Sequence, residues 1–537
     1  MAMMDIPLNT WLLFGHAPRY FPDTELVTRF ADGRTHRYTY ADFGRRAQRL
    51  MHALDSLRLA PGERVATLAW NSYRHLEAYW AVPCTGRVLH TLNLRLSPDD
   101  LGYIIGHADD RAILVDPDLL PLLEKVHGLG GLTGVKHIVV LGPVPDTTLS
   151  GAVGYEELIS AQPDEYPPRD IEERTPLGLC YTSGTTGRPK GVVYTHRSTV
   201  LHAIAASSRA AMGIGPGDCV LPVVPMFHAN AWGVPYTATP YGAKQVFSSG
   251  PLDPAALVDL MAAERVSIAA GVPTIWMSVA DQIAVRGGRS GLPDLRHLLC
   301  GGSRPSRALI ERYRQEFGIP LVQVWGMTET SPLASLAWPK ERMRDWDQDR
   351  VTDTVRTRAG LPLPGVAMEI RDESGHAVPW DGVSMGELLV RGPWIASAYL
   401  GGEGDEQFTE DGWFRTGDIA VGSPDGYLVI ADRAKDLIKS GGEWISSVDM
   451  ESAVMALPEV AEAAVIAVPD DKWQERPLIC LAPRPGQTVT VDRLRDHLER
   501  SGFARWQLPD RIEVVDAIPR TGVGKFDKKV LRERFTP

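Results

Sequence analysis

Up to residue 430, short apolar runs alternate with longer amphipathic stretches. Short runs rich in Val, Ile and Leu are typical of strands that are buried on both faces of a sheet. Amphipathic stretches at residues 40–54, 254–264 and 304–317 predict helices between such strands. Strands that alternate with helices indicate α/β sheets. The predicted strands are residues 64–70, 111–116, 137–141, 177–182, 220–224, 245–248, 267–271 and 321–324.

The pattern changes after residue 359. Residues 359–399 are rich in Gly and Pro, and alternating segments at 367–371 and 386–391 predict a small β subdomain. A turn at 423–426 and a strand at 427–430 then precede a boundary near residues 431–435. The last ~100 residues have the size of a compact domain and mix helix and strand patterns. That unit is predicted to contain helices at 447–456 and 491–500, strands at 462–468, 478–482 and 511–515, a Gly-rich loop at 519–525 and a final basic helix.

The composition is that of an ordinary globular protein. The chain has 537 residues, of which 44% are hydrophobic and 23% are charged, and this excludes disorder, collagen and coiled coil. Lys and Arg total 56 against 67 Asp and Glu, a net charge of −11. Because nucleic-acid binding depends on the neutralisation of phosphates, we expect no nucleic-acid partner. An acidic chain can still bind anions through Gly-rich loops and single cations.

Cysteine usage and hydropathy bear on the cell compartment. The five cysteines are scattered without CxxC spacing, which favours free, buried thiols over disulfides or a zinc site. The N-terminus has no basic segment before its short apolar stretch, so no signal peptide is predicted. No apolar run approaches the ~20 residues that span a bilayer, and we therefore expect a cytoplasmic protein without an integral membrane segment.

The strongest local signal is the segment YTSGTTGRPKG at residues 181–191, directly after a predicted strand. Three glycines allow close backbone approach to a ligand, four Ser and Thr residues supply hydroxyl groups, and Lys190 supplies a positive charge. This combination suits a polyphosphate. The Walker A pattern GxxxxGK[ST] fails, because its second Gly would fall on Pro189 and its final Ser or Thr on Gly191. A P-loop kinase or ATPase is therefore disfavoured.

This loop resembles the phosphate-binding loop of the adenylate-forming superfamily, which includes acyl-CoA synthetases, amino-acid-adenylating domains and firefly-type luciferases. Further segments are similar to motifs of that superfamily and appear in its order. They are PMFHANAW at 225–232 (acyl pocket), WGMTET at 325–330, WFRTGD at 413–418 (ribose), DRAKDLIKSGGEW at 432–444 (hinge) and PRTGVGK at 519–525 (C-terminal lysine). The resemblance covers essentially the whole chain, so chance similarity is negligible.

The resemblance implies both a fold and a reaction. We expect an α/β protein with a large N-terminal domain of α/β sheets plus a small β subdomain, residues 1–432. A hinge at residues 433–436 would join it to a small, mobile α+β C-terminal domain, residues 437–537. In the reaction, a carboxylate attacks the α-phosphate of ATP and forms an acyl-adenylate and pyrophosphate. The thiol of CoA then takes the acyl group and releases AMP.

The resemblance also implies catalytic roles for Lys525, Thr328, Glu329 and His228. Lys525 would bridge the carboxylate and the α-phosphate, and Thr328 would bind the α-phosphate. Glu329, with Thr182, would hold Mg²⁺, a hard cation that prefers oxygen ligands. His228 can lie beside the substrate carboxylate or be a packed ring, and the sequence leaves both interpretations open.

The nucleotide is expected to lie between the phosphate loop, the WGMTET segment and the hinge. Trp325 would offer a flat ring to adenine, and Asp418 would accept from both ribose hydroxyls. Arg433 would reach the ribose or the phosphates. The full nucleotide-binding set implied by the resemblance is Thr182, Ser183, Gly184, Thr185, Thr186, Gly187, Lys190, Gly301, Gly302, Ser303, Gln323, Val324, Trp325, Gly326, Thr328, Asp418, Arg433, Lys435, Lys439, Trp444 and Lys525.

Other residues are implied for the acid and for CoA. Trp232 resembles the residue that gates an apolar tunnel in fatty-acyl members, although a core Trp is the alternative. The domain would rotate about Lys435 between the two half-reactions. Rotation would bring residues 440–443 to the acyl site, where Gly441, Gly442 and Glu443 would shape the channel for the CoA thiol.

The wording of the motifs is most similar to medium- and long-chain fatty-acyl-CoA synthetases. Relatives with similar motifs also activate short, methylthio-substituted or aryl carboxylates, so the chain length of the acid stays open. A non-catalytic nucleotide- or acyl-binding relative is disfavoured, because Lys525, Glu329 and Asp418 are all present. A homodimer is compatible with the resemblance, since fatty-acyl relatives are often homodimers.

Overall fold

A computed structural model describes residues 3–182, 188–251, 253–441, 443–520 and 526–536 of the chain. Among these residues the strands form four sheets, which we call sheets I to IV. In the same residues, every helix is too short or too polar to span a lipid bilayer.

Sheet I holds the strand that leads into the predicted phosphate loop. Its neighbouring strands are parallel except for the last pair, which is antiparallel and encloses that loop. The predicted strands at 64–70, 111–116, 137–141 and 177–182 all lie here, with ends shifted by one or two residues. In spatial order the strands are Val153–Gly154, His137–Val140, Asp110–Val115, Arg64–Leu68, Val88–Thr91, Pro176–Tyr181 and Gly191–Thr195.

Sheet II holds the strand that leads into the WGMTET segment. Its centre is parallel and its edges are antiparallel. The first strands of the chain, Glu25–Phe30 and Thr35–Thr39, form one edge, which the apolar pattern did not indicate. In spatial order the strands are Leu361–Pro362, Leu333–Leu336, Leu321–Gly326, His297–Cys300, Ile268–Gly271, Cys219–Pro222, Lys244–Ser249, Glu25–Phe30 and Thr35–Thr39.

Helices cover sheets I and II. The helix Tyr40–Ser56 begins where the side chain of Thr39 accepts from the backbone N–H of Asp42, a capping box. The helix predicted at 304–317 begins at Arg307, because Ser306 caps it by accepting from the N–H of Leu309. The other helices of this region are Trp11–Phe14, His16–Tyr20, Tyr73–Cys84, Pro98–Ala108, Leu120–Gly128, Tyr155–Ser160, His196–Ser207, Val234–Ala238, Pro254–Ala263, Pro273–Val285 and Gln348–Val351.

The largest apolar cluster lies between sheets I and II. It contains Val65 and Leu89 from sheet I together with Phe247 and Leu299 from sheet II. Burial of this apolar surface holds the two sheets together as one body. The five cysteines are all free and buried, as predicted.

Sheet III is the predicted small β subdomain. It is an antiparallel sheet, and its strands in order are Ala367–Arg371, Met385–Arg391, Phe414–Gly422 and Leu428–Arg433. The predicted strand at 367–371 has the bounds that the alternating pattern indicated.

Sheet IV lies in the C-terminal unit, which has apolar clusters of its own. The strand Gln474–Pro483 pairs on one side with Val460–Asp470 and on the other side with Ile438–Ser440 and Arg511–Val514. The strand Glu443–Ile445 forms a hairpin with Ile438–Ser440. The helices are Ser447–Val454, Val491–Arg500 and Lys528–Phe535. The fold-class prediction is therefore confirmed. The strands change sheet between Arg433 and Ile438, at the predicted hinge; the domain bounds themselves stay a prediction.

Candidate functional site

The strands Pro176–Tyr181 and Gly191–Thr195 flank the phosphate loop, and hydrogen bonds between Thr182 and Lys190 join the two ends of the loop. The N–H of Thr182 donates to the carbonyl of Lys190 at 2.9 Å, and the N–H of Lys190 donates to the Thr182 hydroxyl at 3.1 Å. At Gly191 a Cβ atom would come within 3.1–3.2 Å of side-chain atoms of Leu400, Leu179 and Tyr181, so a larger residue would require these side chains to shift. The predicted residues that lie outside the described ranges are Ser183, Gly184, Thr185, Thr186, Gly187, Gly442 and Lys525.

The side chains of Lys190 and Glu329 both contact Tyr399. The Lys190 ammonium is 3.6 Å from Glu406 Oε1 and 5.1 Å from the centre of the Tyr399 ring. The hydroxyl of Tyr399 donates to Glu329 Oε1 at 2.6 Å. Tyr399 therefore connects the cation of the phosphate loop to the carboxylate predicted to hold a metal.

Glu329 lies in a short turn, Thr328–Thr330, just after the sheet II strand Leu321–Gly326. It is only 5% exposed, and burial raises the pKa of its carboxyl above the usual value, while the Tyr399 hydrogen bond lowers it. The Tyr194 hydroxyl fixes the turn by donating to the carbonyl of Thr328 at 2.7 Å. A buried carboxylate is stable in the charged form when a cation lies beside it. Glu329 therefore fits a divalent metal.

Asp418 is 2% exposed and lies in sheet III opposite Arg433. Its Oδ1 is 2.8 Å from Arg433 Nε, and its Oδ2 accepts from Trp325 Nε1 at 2.9 Å. A carboxylate offers about four acceptor positions, so two remain for ligand hydroxyls. We call Glu329, Tyr399, Asp418, Arg433 and Trp325 the nucleotide cluster. The sequence-predicted members of this set are brought together from sheets II and III.

The floor beside this cluster is formed by glycine and apolar side chains. A Cβ at Gly301 would come within 2.5 Å of Val324 Cγ2 and 3.0 Å of Trp232 Cη2. Gly301, Val324 and Trp232 are therefore in contact range, so the predicted acyl gate touches the predicted nucleotide floor. Gln323 is buried, and its Oε1 has no hydrogen-bond partner among the described residues.

Other predicted residues lie near this floor. Gly302 has φ +82°, and both Gly302 and Ser303 are exposed. At Gly326 a Cβ would collide with the backbone of Pro332, which explains the glycine there. Its role is thus to allow close packing of the backbone at the end of the strand.

The segment with Trp232 has an unusual backbone. Ala229, Asn230, Ala231 and Trp232 have φ between 42° and 58°, and Gly233 follows with φ 81°. Left-handed conformations cost about 1–2 kcal/mol for each ordinary residue, and such strain is typical of functional sites. His228 precedes this turn and is half-buried; its place beside the substrate carboxylate stays a prediction, with a packed ring as the alternative.

Sequence reasoning missed several residues that hold the site. Tyr399 and Tyr194 fix Glu329 and Thr328, and Tyr79 donates to Asn230 Oδ1 at 3.1 Å to hold the left-handed turn. Asn230 and Gly233 could have indicated the left-handed turn, because Asn and Gly tolerate positive φ better than other residues. The tyrosines are distant in sequence from their partners, so no local pattern indicated them.

Lys439 and Trp444 of the predicted nucleotide-binding set lie with Gly441 and Glu443 of the predicted CoA channel on a hairpin of sheet IV, whereas the nucleotide cluster comes from sheets II and III. Lys439 and Trp444 face each other across the hairpin of residues 438–445, with Lys439 Nζ 4.9 Å from the indole. Trp444 is 40% exposed, and Glu443 is exposed as well. Gly441 has φ +61°, and a Cβ there would meet Trp473 at 2.7 Å. We call the paired strands Ile438–Ser440 and Glu443–Ile445 the exposed hairpin, because it is exposed at Lys439, Glu443 and Trp444.

Lys435 is exposed and lies between the exposed hairpin and the last strand of sheet III. Its carbonyl accepts from Arg532 Nη2 at 3.4 Å, and Arg532 also pairs with Asp436. The predicted hinge is thus tied to the final helix of the C-terminal unit.

Comparison with known proteins identifies the family of this chain. The family described as AMP-binding enzyme matches residues 14–400, and the family described as AMP-binding enzyme C-terminal domain matches residues 449–525. The chain is 48% identical to the long-chain-fatty-acid–CoA ligase of Thermus thermophilus, over 99% of this chain and 97% of the relative. It is 42% identical to the 3-methylmercaptopropionyl-CoA ligase of Ruegeria lacuscaerulensis, over 99% and 98%.

Solved structures share the fold over nearly the whole chain. ATP-bound MatB from Rhodopseudomonas palustris has a TM-score of 0.84 and 26% identity, covering 98% of this chain and 99% of that one. The anthranilate CoA ligase AuaEII has a TM-score of 0.87 at 23% identity, covering 99% and 98%, a likeness of fold alone. The chain belongs to the family of AMP-binding enzymes and is an AMP-forming acid–CoA ligase.

Proposed function

We propose that this ligase activates a medium- or long-chain fatty acid. The observation that carries the proposal is that the buried, apolar Trp232 lies in contact range of Gly301 and of Val324, which is next in the chain to Trp325 of the nucleotide cluster. An apolar acyl chain would pass Trp232 and present its carboxylate beside the α-phosphate. The named ligases of Thermus thermophilus and of Ectopseudomonas oleovorans, 48% and 40% identical, act on long-chain and medium-chain fatty acids.

Nucleotide binding would divide among three groups of residues. The two free acceptor positions of Asp418 take the ribose hydroxyls, and Arg433 orients that carboxylate. Trp325 lies beside adenine, with its N–H already bound to Asp418. Lys190 and the phosphate loop neutralise the β- and γ-phosphates. Both reactants are anions, so positioning and charge neutralisation supply the catalysis.

Mg²⁺ fits beside Glu329, with Thr182 as a further oxygen ligand. The fit rests on the buried carboxylate beside the predicted phosphate loop; burial raises the pKa of Glu329, and a bound cation would stabilise its charged form. When bound, the ion withdraws charge from the phosphates. Tyr399 keeps the carboxylate in place by donating to Oε1, which leaves Oε2 for the metal.

The second half-reaction would use a different arrangement of the C-terminal domain. The exposed hairpin with Gly441 and Glu443 faces solvent, so a rotation about the hinge at 433–436 is needed to bring it to the acyl group. Lys435 is the proposed pivot. Lys525 would serve the first half-reaction and withdraw in the second.

A second candidate substrate is a short methylthio-substituted acid. Two 3-methylmercaptopropionyl-CoA ligases of Ruegeria species are 42% and 41% identical over 99% of the chain, and this supports the alternative. A cytoplasmic location, a homodimer and the lack of a nucleic-acid partner stay predictions.

The test is a substrate panel with the purified enzyme, ATP, Mg²⁺ and CoA. Saturated acids from acetate to stearate, 3-(methylthio)propionate and benzoate are compared by AMP release. We expect kcat/KM to be highest for an acid of medium or long chain. A maximum at 3-(methylthio)propionate would support the second candidate, and ADP in place of AMP would contradict the ligase mechanism.

A further inference from the structure

A buried charged cluster lies where the C-terminal domain meets the last strand of sheet III. Asp432 is the next-to-last residue of that strand and is 1% exposed, while Glu451 is 8% exposed. The Lys528 side chain is only 12% exposed, and its ammonium is 2.7 Å from Glu451 Oε1. We call Asp432, Ser447, Glu451 and Lys528 the hinge network. None of these four residues is in the predicted nucleotide or CoA sets.

One hydroxyl joins the two sides of this network. The Ser447 hydroxyl donates to Asp432 Oδ2 at 2.5 Å and accepts from Lys528 Nζ at 2.6 Å. The N–H of Ser447 donates to the same Asp432 oxygen at 2.7 Å. Because Ser447 begins a helix, the Asp432 carboxylate also lies at the positive end of the helix dipole.

Lys528 is the cation that balances the two carboxylates. Burial by itself lowers the pKa of its ammonium, but Glu451 and Asp432 raise it above the usual value, so it stays charged. Glu451 is fixed further, because Oε1 accepts from the backbone N–H of Val465 at 2.8 Å. Buried ion pairs are specific in geometry, since a partner that is displaced leaves an uncompensated charge.

The network crosses the proposed hinge at residues 433–436. Asp432 precedes the hinge, whereas Ser447, Glu451 and Lys528 follow it, so a rotation there displaces Ser447 from Asp432. The Arg304–Asp449 pair at 2.5 Å crosses the same junction. In the arrangement with the network formed, the exposed hairpin faces solvent, which is the arrangement proposed for adenylation.

We propose that Lys528 is a positioning residue for adenylation, which holds the C-terminal domain through Ser447 and Asp432 in the orientation used by the first half-reaction. The network must open before the exposed hairpin can reach the acyl group. This proposal rests on the proposed two-step mechanism and adds a residue that acts without touching substrate.

The test measures the two half-reactions separately. ATP–pyrophosphate exchange with the acid reports adenylation, and thioester formation from synthetic acyl-adenylate plus CoA reports the second step. Ser447→Ala removes the connection and leaves Lys528 paired with Glu451. The double variant Lys528→Met/Glu451→Gln removes that ion pair, and among the described residues the Asp432 carboxylate then keeps only neutral donors, the hydroxyl and N–H of Ser447 and the N–H of Arg433. We expect adenylation to fall about tenfold or more in each, because a hydrogen bond to a charged group is lost. The thioester step is expected to stay equal or become faster.

Lys529→Met is the matched control, because Lys529 is the next residue and its side chain is 67% exposed. Lys528→Arg keeps the positive charge, and its adenylation rate is expected to lie between those of the wild-type enzyme and of the double variant Lys528→Met/Glu451→Gln. Domain orientation is followed by energy transfer between labels at Val285→Cys and Val514→Cys, which are exposed positions on the two domains, whereas the native cysteines are buried. The Ser447→Ala variant is expected to shift the distance distribution, and Lys529→Met is expected to leave it unchanged.

Two results would overturn the positioning role: an equal loss in both half-reactions, or the same ratio of rates for Lys529→Met and for the network variants. If Lys528→Met/Glu451→Gln does not fold, Ser447→Ala decides, because it deletes one oxygen atom. A wild-type enzyme that makes no thioester from any acid would instead contradict the proposed function.

Discussion

The nucleotide cluster is proposed to bind ATP and the exposed hairpin is proposed to shape the channel for CoA. The two regions serve the same overall reaction, yet they differ in burial and in hydrogen bonding. In the cluster, Asp418 and Glu329 are at most 5% exposed and already accept from Trp325, Arg433 and Tyr399. On the hairpin, Trp444 is 40% exposed. A preorganised charged site stabilises a transition state without rearrangement. In the proposed mechanism the hairpin acts only after the C-terminal domain moves, so that mechanism assigns a rigid site to the first step and a domain movement to the second.

The largest effects are expected from two variants, Lys525→Ala and Lys435→Pro, each of which should impair a different half-reaction. Lys525→Ala should lower adenylation by about 10²–10³ in rate, because one well-placed charge is lost, and should leave the thioester step from synthetic acyl-adenylate intact. Lys435→Pro fixes φ near −65° and should trap one domain orientation. It should keep pyrophosphate release and lose thioester formation. Rapid-quench assays of each half-reaction measure this crossed pattern, and parallel losses would contradict the two-step arrangement.

Glu329→Gln tests the rigid region alone. Removal of the charge takes away the proposed Mg²⁺ ligand while keeping the side-chain volume, and we expect about 10²-fold slower pyrophosphate exchange. The KM for Mg²⁺ should rise as well. Glu406→Gln is the control, because Glu406 is exposed and 3.6 Å from Lys190. Similar rates for the two variants would exclude a metal role for Glu329.

The sequence predicted most of the central strands, because buried strands of parallel sheets leave continuous apolar runs. It missed the buried parallel strands Val88–Thr91 and His297–Cys300, each only four residues long and containing a histidine. Glu25–Phe30 and Thr35–Thr39 were also not indicated, because these strands mix polar and apolar residues. Asp418, Glu329, Trp325 and Arg433 were indicated by the family motifs, and the structure brings them together.

The supporting contacts could not be predicted in the same way. Tyr399 is 70 residues from Glu329 in the chain, and Lys528 is 81 residues from Ser447. Such pairs are set by the packing of sheets and by the placement of a domain, not by local periodicity. Asp432 is the first residue of the hinge motif at 432–444, and Ser447 and Glu451 follow that motif, while Lys528 follows the motif at 519–525. Only the structure shows that these residues are in contact.

Asp418→Asn is expected to have a moderate effect within the nucleotide cluster. The amide keeps one acceptor but loses the charge that pairs with Arg433. A hydrogen bond to a charged group contributes about 1.5–3 kcal/mol, which corresponds to about a ten- to hundredfold rise in the KM for ATP. Initial rates at varied ATP measure it. An unchanged KM for ATP together with a raised KM for CoA would show that Asp418 does not bind the ribose of ATP.

Trp232→Ala examines the contact between the acyl gate and the nucleotide floor. Loss of the ring should alter discrimination between acid chain lengths by about 1–3 kcal/mol, with a much smaller change in the KM for ATP. The chain-length profile is measured with the same acid panel. Equal changes for acid and ATP, or loss of folded protein, would identify Trp232 as a core residue.

Tyr399→Phe should have the smallest effect and acts through pH. Burial raises the pKa of Glu329, and the Tyr399 hydroxyl lowers it by donating to the carboxylate. Without that hydrogen bond the pKa rises further, so protonation competes with Mg²⁺ at a higher pH. We therefore expect the acid limb of the pH–rate profile for pyrophosphate exchange to move to higher pH, with little change near pH 8. Tyr194→Phe is the control, since its hydroxyl donates to the Thr328 carbonyl and not to a carboxylate. An acid limb that moves equally in both variants would show that Tyr399 does not tune Glu329.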